Sequence, residues 1–210
     1  NYLISENLNK KIVTLYNPVR NESTKVKVLN KKNGLKNTFS YIGNIGGAQN
    51  IELLLRSFKN AKLENSELNM CGDGGLFQEL SSKYSSSDIL WHGWIDGDKL
   101  EKIYNDSDFF ILSLNSVGRQ GLILPSKVQS YFMHKRPIIC ISSGAPKELI
   151  QECGAGFVCE NINEKEIVKM FNYAENSSFE ERSKMSINAY KYYEDNFKKE
   201  KIVDKFLQSI

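Results

Sequence analysis

Tyr41-Ile-Gly-Asn-Ile-Gly-Gly-Ala-Gln-Asn50 is the stretch on which the fold turns. It follows a run of apolar and β-favouring residues and precedes apolar residues at helical spacing, so it reads as a strand-to-helix turn. Gly43, Gly46 and Gly47 remove three Cβ atoms within five positions, with Asn44 between them. Two readings fit. The helix expected to start near Asn50 would aim its free N–H groups and dipole at an anion, most often a phosphate. Alternatively, the glycines only let strand and helix pack closely. The spacing is G-x-x-G-G, not the G-x-G-x-x-G of dinucleotide-binding turns.

Outward from this turn the chain alternates. Strands are predicted over residues 12–19, 38–45, 66–71, 88–92, 108–114, 137–141 and 156–159. Helices are predicted over 50–61, 75–84, 97–105, 125–135, 146–152 and 164–174. Short apolar strands interleaved with helices imply right-handed βαβ units, hence an α/β fold with a doubly wound parallel sheet covered on both faces. Residues 179–210 read as two further helices broken near Asn196. Their aromatic residues Tyr190, Tyr192, Tyr193 and Phe197 recur at helical spacing and are read as packing surface.

Ligands of such sheets lie beyond the carboxyl ends of the strands. The second of these loops is Cys71-Gly-Asp-Gly-Gly75, another turn nearly free of Cβ atoms, which brings Gly72 and Asp73 to the same edge. The third carries Gly93, Trp94 and Ile95 after His92. The fourth, 113–125, contains Arg119 and Gln120 and leads into Pro125-Ser126-Lys127. Proline suits a first helical turn, and a lysine beside the free N–H groups there is a point charge for a phosphate. Two glycine turns and a cation on one sheet edge favour a ligand bearing a diphosphate.

Composition excludes other classes. With 40% hydrophobic and 25% charged residues the chain is an ordinary globular one, and a net charge of +3 is too small to argue for nucleic acid. No apolar run nears the roughly 18 residues that would cross a bilayer. Cys71, Cys140, Cys153 and Cys159 lack paired spacing and are expected to be reduced and buried. With only His92 and His134, neither beside a cysteine, no metal site is expected. Neither histidine is a compelling base, and no nucleophile triad or P-loop occurs. Because it opens on Asn1, the chain is expected to belong to a longer polypeptide.

The order of these landmarks resembles the carboxy-terminal, nucleotide-sugar-binding half of a GT-B glycosyltransferase of the group 1 (family 4) class, in the subgroup making bacterial capsule and O-antigen polysaccharide. The 41–49 turn is similar to that family's first glycine loop, and residues 71–75 to its second. Residues 92–114 resemble its aspartate-strand segment, with Asp108 opening the strand. Gly121-Leu-Ile-Leu-Pro-Ser-Lys-Val-Gln-Ser-Tyr131 resembles its Pro-x-Lys-x-x-Glu-Tyr helix. The likeness covers roughly residues 12 to 175.

The resemblance implies a Rossmann-like domain over 36–177. A linker with the first strand would occupy 1–35. Helices over 178–210 would pack back towards an amino-terminal domain outside this sequence. It implies retaining transfer from a UDP-sugar or GDP-sugar to a polysaccharide or lipid-linked acceptor, with neither metal nor cofactor, by a cytoplasmic protein at or near the inner face of the membrane. Any membrane contact would lie on the amino-terminal domain. Gly43, Asn44, Gly46, Gly47, Gly72 and Asp73 would meet the donor, with Ser126 and Lys127 on its diphosphate. The backbone at Gly93, Trp94 and Ile95 would meet the base, and Arg119 and Gln120 the sugar or its phosphates. The family's ribose-binding glutamate falls at Ser130, which offers a single hydroxyl. The upstream glutamate of the family's paired motif falls near Leu122, and no cation stands in the first turn. Two alternatives share the architecture: a sugar-nucleotide epimerase, and a nucleotide-binding domain without catalysis. The chain by itself is expected to bind nucleotide weakly and transfer nothing.

Overall fold

The computed structural model describes residues 13–19, 26–29, 35–115 and 123–209. Six strands, β1 (Asn37–Ile42), β2 (Ser66–Cys71), β3 (Ile89–Gly93), β4 (Phe109–Ser113), β5 (Ile138–Ile141) and β6 (Gly156–Val158), form one sheet. All pairings are parallel, and the order is β3-β2-β1-β4-β5-β6. The order reverses between β1 and β4, which pair only from Phe39↔Phe109 to Tyr41↔Ile111. Beyond Tyr41 the two strands part, and the crevice of a doubly wound sheet opens there.

The strands read as unbroken apolar runs because both faces are buried. In β4 and β5, Phe109, Ile111, Ile139 and Ile141 point into one core while Phe110, Leu112, Ile138 and Cys140 point into the other. The first core is closed by α1 (Ile51–Ala61), α2 (Phe77–Tyr84) and α6 (Glu164–Asn176). In α1 the buried Ile51, Leu54, Leu55 and Phe58 follow the spacing of a single helix face. The second core is closed by α4 (Lys127–Met133), α5 (Ala145–Cys153) and α7 (Phe179–Asn196), with α3 (Gly97–Asp106) adding Tyr104 at its margin. The helix starts are specified locally, since Asn163 and Ser178 accept from the backbone N–H groups of Glu166 and Glu181. A last helix, α8 (Lys199–Leu207), buries no side chain.

The doubly wound parallel sheet stands as read, with strand and helix limits within about three residues of those expected. Over the described residues of 12–19 the predicted strand is not formed. The sheet ends at β3 and β6 with no further strand added, and Tyr16 sets its ring edge-on against Phe197, 4.9 Å between centroids, which places this segment on the α7 side of the second core. The aromatic tail packs as expected: Tyr193 and Phe197 are buried in the second core, with Tyr190 and Tyr192 against it. Among the described residues no helix is long and apolar enough to cross a membrane.

One buried cation ties the rim opposite the crevice. Arg136 is 2% exposed. Its guanidinium donates to the carbonyls of Ser107 (2.6 Å), Asn105 (2.7 Å), Lys27 (2.9 Å), His134 (3.0 Å) and Lys135 (3.0 Å). Loss of this fan leaves several buried carbonyls without donors, so Arg136→Met is expected to cost about 3 kcal/mol in urea unfolding. Arg136→Lys should recover little of it, because an ammonium cannot reach carbonyls arranged around a planar fork.

Candidate active site at the sheet switch point

Three loops build the crevice, and the glycines in them do different work. The loop after β1 runs through Gly43, Asn44 and Ile45 into Gly46 and a 3₁₀ turn over Gly47–Gln49. The loop after β2 lies directly beneath it. Gly43 N–H donates to Cys71 O (2.9 Å), Ile45 N–H to Asp73 O (2.9 Å) and Leu76 N–H to Ile45 O (3.0 Å). A Cβ on Gly72, at φ +133°, would stand 1.9 Å from Gly43 O, and one on Gly74 would stand 2.5 Å from Ile45 O. Those two glycines exist so that one backbone can lie on another.

In the second turn two of the backbone donors already have partners. Gly72 N–H is already given to Gly93 O (2.8 Å) and Gly74 N–H to the Asp73 carboxylate (2.7 Å). Gly72 and Asp73 therefore support the first loop, and the Asp73 side chain closes its own turn.

The first loop keeps its donors. Among the described residues, the N–H groups of Gly46, Gly47 and Ala48 have no acceptor. A Cβ on Gly47 would meet nothing within 4 Å. Asn50 takes a left-handed conformation (φ 49°) at the start of α1 and makes no cap bond to that helix. Its amide is directed instead to Leu114 O (3.4 Å). The donors nearest the crevice thus come from the 3₁₀ turn that precedes α1, a turn the sequence did not announce. Asn44 Nδ2 donates to Gln49 Oε1 (3.1 Å), which braces the loop across its mouth.

The loop is also stapled to the far side of the crevice. Asn115 N–H donates to Ala48 O (2.7 Å) and the Ser113 hydroxyl to Gln49 O (2.6 Å). Lys127 opens α4 and comes back to β1, its Nζ 4.3 Å from the centre of the Tyr41 ring. The space it occupies is the one Gly43 leaves, since a Cβ there would be 2.4 Å from Nζ. One helical turn on, the Tyr131 hydroxyl is fully buried. It lies 3.2 Å from both the N–H and the carbonyl of Ile42 and 3.3 Å from Ile111 O. Tyr41 and Tyr131 were not among the expected site residues; aromatic residues in apolar runs look like core, and only the four-residue spacing from Lys127 hinted at a shared face.

Charge in this corner is sparse. Burial draws the Lys127 ammonium down to about 8, with no anion described beside it. Burial also raises Tyr41 and Tyr131 well above the ordinary phenol range and pushes the Cys71 thiol up to about 12. The neighbours are therefore neutral near physiological pH.

The other expected residues are placed as follows. Ser126, the residue before α4, is exposed and makes no cap bond with its side chain. Ser130 meets the Tyr104 hydroxyl, while its carbonyl receives the His134 ring. Gly93 is left-handed (φ +65°), Trp94 stands 77% exposed and Ile95 is half-buried. Arg119 and Gln120 lie outside the described residues. His92 is engaged by Asn69 (2.6 Å), and His134 stacks on Tyr104, 4.1 Å between centroids. Among the described residues no group of three or more His, Cys, Asp or Glu could hold a metal ion.

The model of the family described as "Glycosyl transferases group 1" matches residues 22–192. A search of curated proteins finds no match. Among solved structures, the apo lipopolysaccharide outer core galactosyltransferase WaaB is similar, with TM-score 0.76 and 18% identity over 99% of this chain and 57% of that one. A TarM variant from S. aureus, solved with Fondaparinux, alpha-GlcNAc-glycerol and UDP, gives 0.70 and 16% over 99% of this chain and 41% of its own. HepE from Anabaena, in complex with UDP, gives 0.67 and 12% over 83% of this chain and 49% of its own. At such identities the likeness is one of fold. The chain spans little more than half the length of these neighbours, or less.

The division among the glycines predicts unequal tolerance. Gly72→Ala must push the first loop off the second and is expected to cost about 3 kcal/mol. Gly47→Ala points into open space and should stay within about 0.5 kcal/mol of the parent in the same chemical unfolding series.

Proposed function

The chain belongs to the group 1 glycosyl transferases, and from that premise we propose that it binds the diphosphate of a nucleotide-sugar donor in the crevice between β1 and β4, for retaining transfer to a saccharide or lipid-linked acceptor. One observation supports the reading: where the strand order reverses, Lys127 on α4 fills the gap left by Gly43, in the same loop whose N–H groups at 46–48 have no acceptor among the described residues. Backbone donors and a cation set around a diphosphate suit the chemistry of transfer. Cleavage of the sugar–phosphate bond builds negative charge on the leaving phosphate, and donors fixed in advance stabilise that charge without reorganising.

In this reading the first loop supplies only N–H groups and close approach. The positive charge comes from Lys127, joined by Arg119, and no metal or cofactor is required. Ser126 adds a hydroxyl at the α4 end. The backbone at Trp94 and Ile95 receives the base, and Ser130 meets the ribose weakly because Tyr104 already engages it. The neighbours support a uridine donor: HepE is described with UDP and UDP-glucose, and TarM with UDP. The acceptor would be held by an amino-terminal domain on the same polypeptide. The exposed Val203, Phe206 and Leu207 of α8 would lean towards that domain. A cytoplasmic setting, at or near the inner membrane face, goes with such donors.

Calorimetry with UDP, GDP and UDP-glucose tests the site. Lys127→Ala is expected to weaken UDP binding by about 10- to 100-fold, the loss of one charge-assisted contact to phosphate. Unchanged affinity would remove Lys127 from the site.

A further inference from the structure

Resting on the donor reading above, we infer that the site captures a diphosphate together with a proton, which Lys127 takes from solvent as the ligand enters. The step is a protonation alone: the amine lone pair of Nζ accepts H⁺, and no bond to phosphorus is made or broken.

The geometry argues for it in three parts. First, the ammonium is partly withdrawn from water with no counter-charge beside it. It lies over the Tyr41 ring in the gap left by Gly43, and among the described residues it makes no ion pair or hydrogen bond. Second, the titratable groups packed around this corner are Tyr41 on β1, Cys71 at the end of β2, Tyr104 on α3 and Tyr131 on the same helix, all kept neutral by burial. The backbone beside the amine is that of Gly43, at the foot of the loop whose N–H groups at 46–48 have no acceptor among the described residues, so it brings no negative charge. Third, the lysine is not free to swing out with its helix, because the Tyr131 hydroxyl one turn later is locked to Ile42 and Ile111. An empty site thus holds the proton less tightly than a lysine in water does, and a diphosphate, bringing two or more negative charges beside the amine, holds it on into alkaline solution.

The sign follows. In the free chain Lys127 loses its proton near pH 8, well below an ordinary lysine. A bound diphosphate restores the higher value, so between pH 8 and that value the complex holds more protons than its parts. Affinity should fall by up to tenfold per pH unit across the window, and be flat just below it. The last phosphate proton of the ligand leaves near pH 6, so at the mildly alkaline end of the window the diphosphate itself does not titrate.

The test is UDP calorimetry on the 210-residue chain at pH 8.5 in buffers of different ionisation enthalpy. The expected uptake is about 0.7 proton per UDP bound. Lys127→Met should bind more weakly with no uptake, and Lys127→Arg, always charged, should also show none. UDP binding with the same heat in every buffer would overturn proton capture and leave the donor reading standing. Uptake that persists in Lys127→Met would overturn the assignment to this residue. No binding of UDP at any pH would overturn the donor reading, and this inference with it.

Discussion

Where a doubly wound sheet reverses its order, two neighbouring strands must separate, and the ladder groups at the parting lose their partners. Here the Tyr131 phenol takes them. Its hydroxyl sits against both the N–H and the carbonyl of Ile42, with Ile111 O on the other side. A buried peptide group left unpaired costs about 1–3 kcal/mol, so the wedge is what allows β1 to end at Ile42 and not zip further along β4. The crevice, the approach of α4 to β1 and the seat of Lys127 all depend on that one contact. Because Lys127 and Tyr131 lie four residues apart on α4, the same helix face both holds the strands open and delivers the cation to the opening.

A second constraint acts from below. The loop after β1 projects without a helix directly under it, and its shape is held by the backbone of the β2 loop. Gly72 and Gly74 permit that approach, three hydrogen bonds fix it, and Asn115 and Ser113 fasten the far side. The donors at 46–48 are therefore rigid before any ligand arrives. This matters for anion binding, since donors that must be ordered on binding give back much of what they contribute.

The fold was legible in the sequence for a simple reason. A parallel sheet buried on both faces writes each strand as a short apolar run, and runs such as 109–113 and 138–141 have no other stable use between helices. The failures are equally physical. Residues 13–19 carry strand-like composition, yet Tyr16 and Val19 pack as side chains against the second core instead of pairing, and apolar composition alone does not tell those two uses apart. Glycine marks only where a Cβ cannot stand, not what excludes it. Gly72 excludes it for a neighbouring backbone, Gly43 for a lysine, and Gly47 for nothing in the protein itself. The Pro-Ser-Lys start of α4 was readable, but the role of Tyr41 was hidden because a ring in a buried strand looks like packing until a cation is found on its face.

That cation–ring contact explains why a lysine can be kept here without an acid beside it. A partly buried ammonium with no acid beside it among the described residues is a costly choice by the usual rule for buried charge. The Tyr41 ring offsets part of the cost, on the order of 1–2 kcal/mol for a desolvated contact. A carboxylate in its place would offset more, but under the proposed donor reading it would compete with the ligand's phosphates for the lysine. A ring stabilises the charge weakly and repels no phosphate. The lysine is thus held in position by a ring, with no counter-charge among the described residues, which is the arrangement the proposed reading needs.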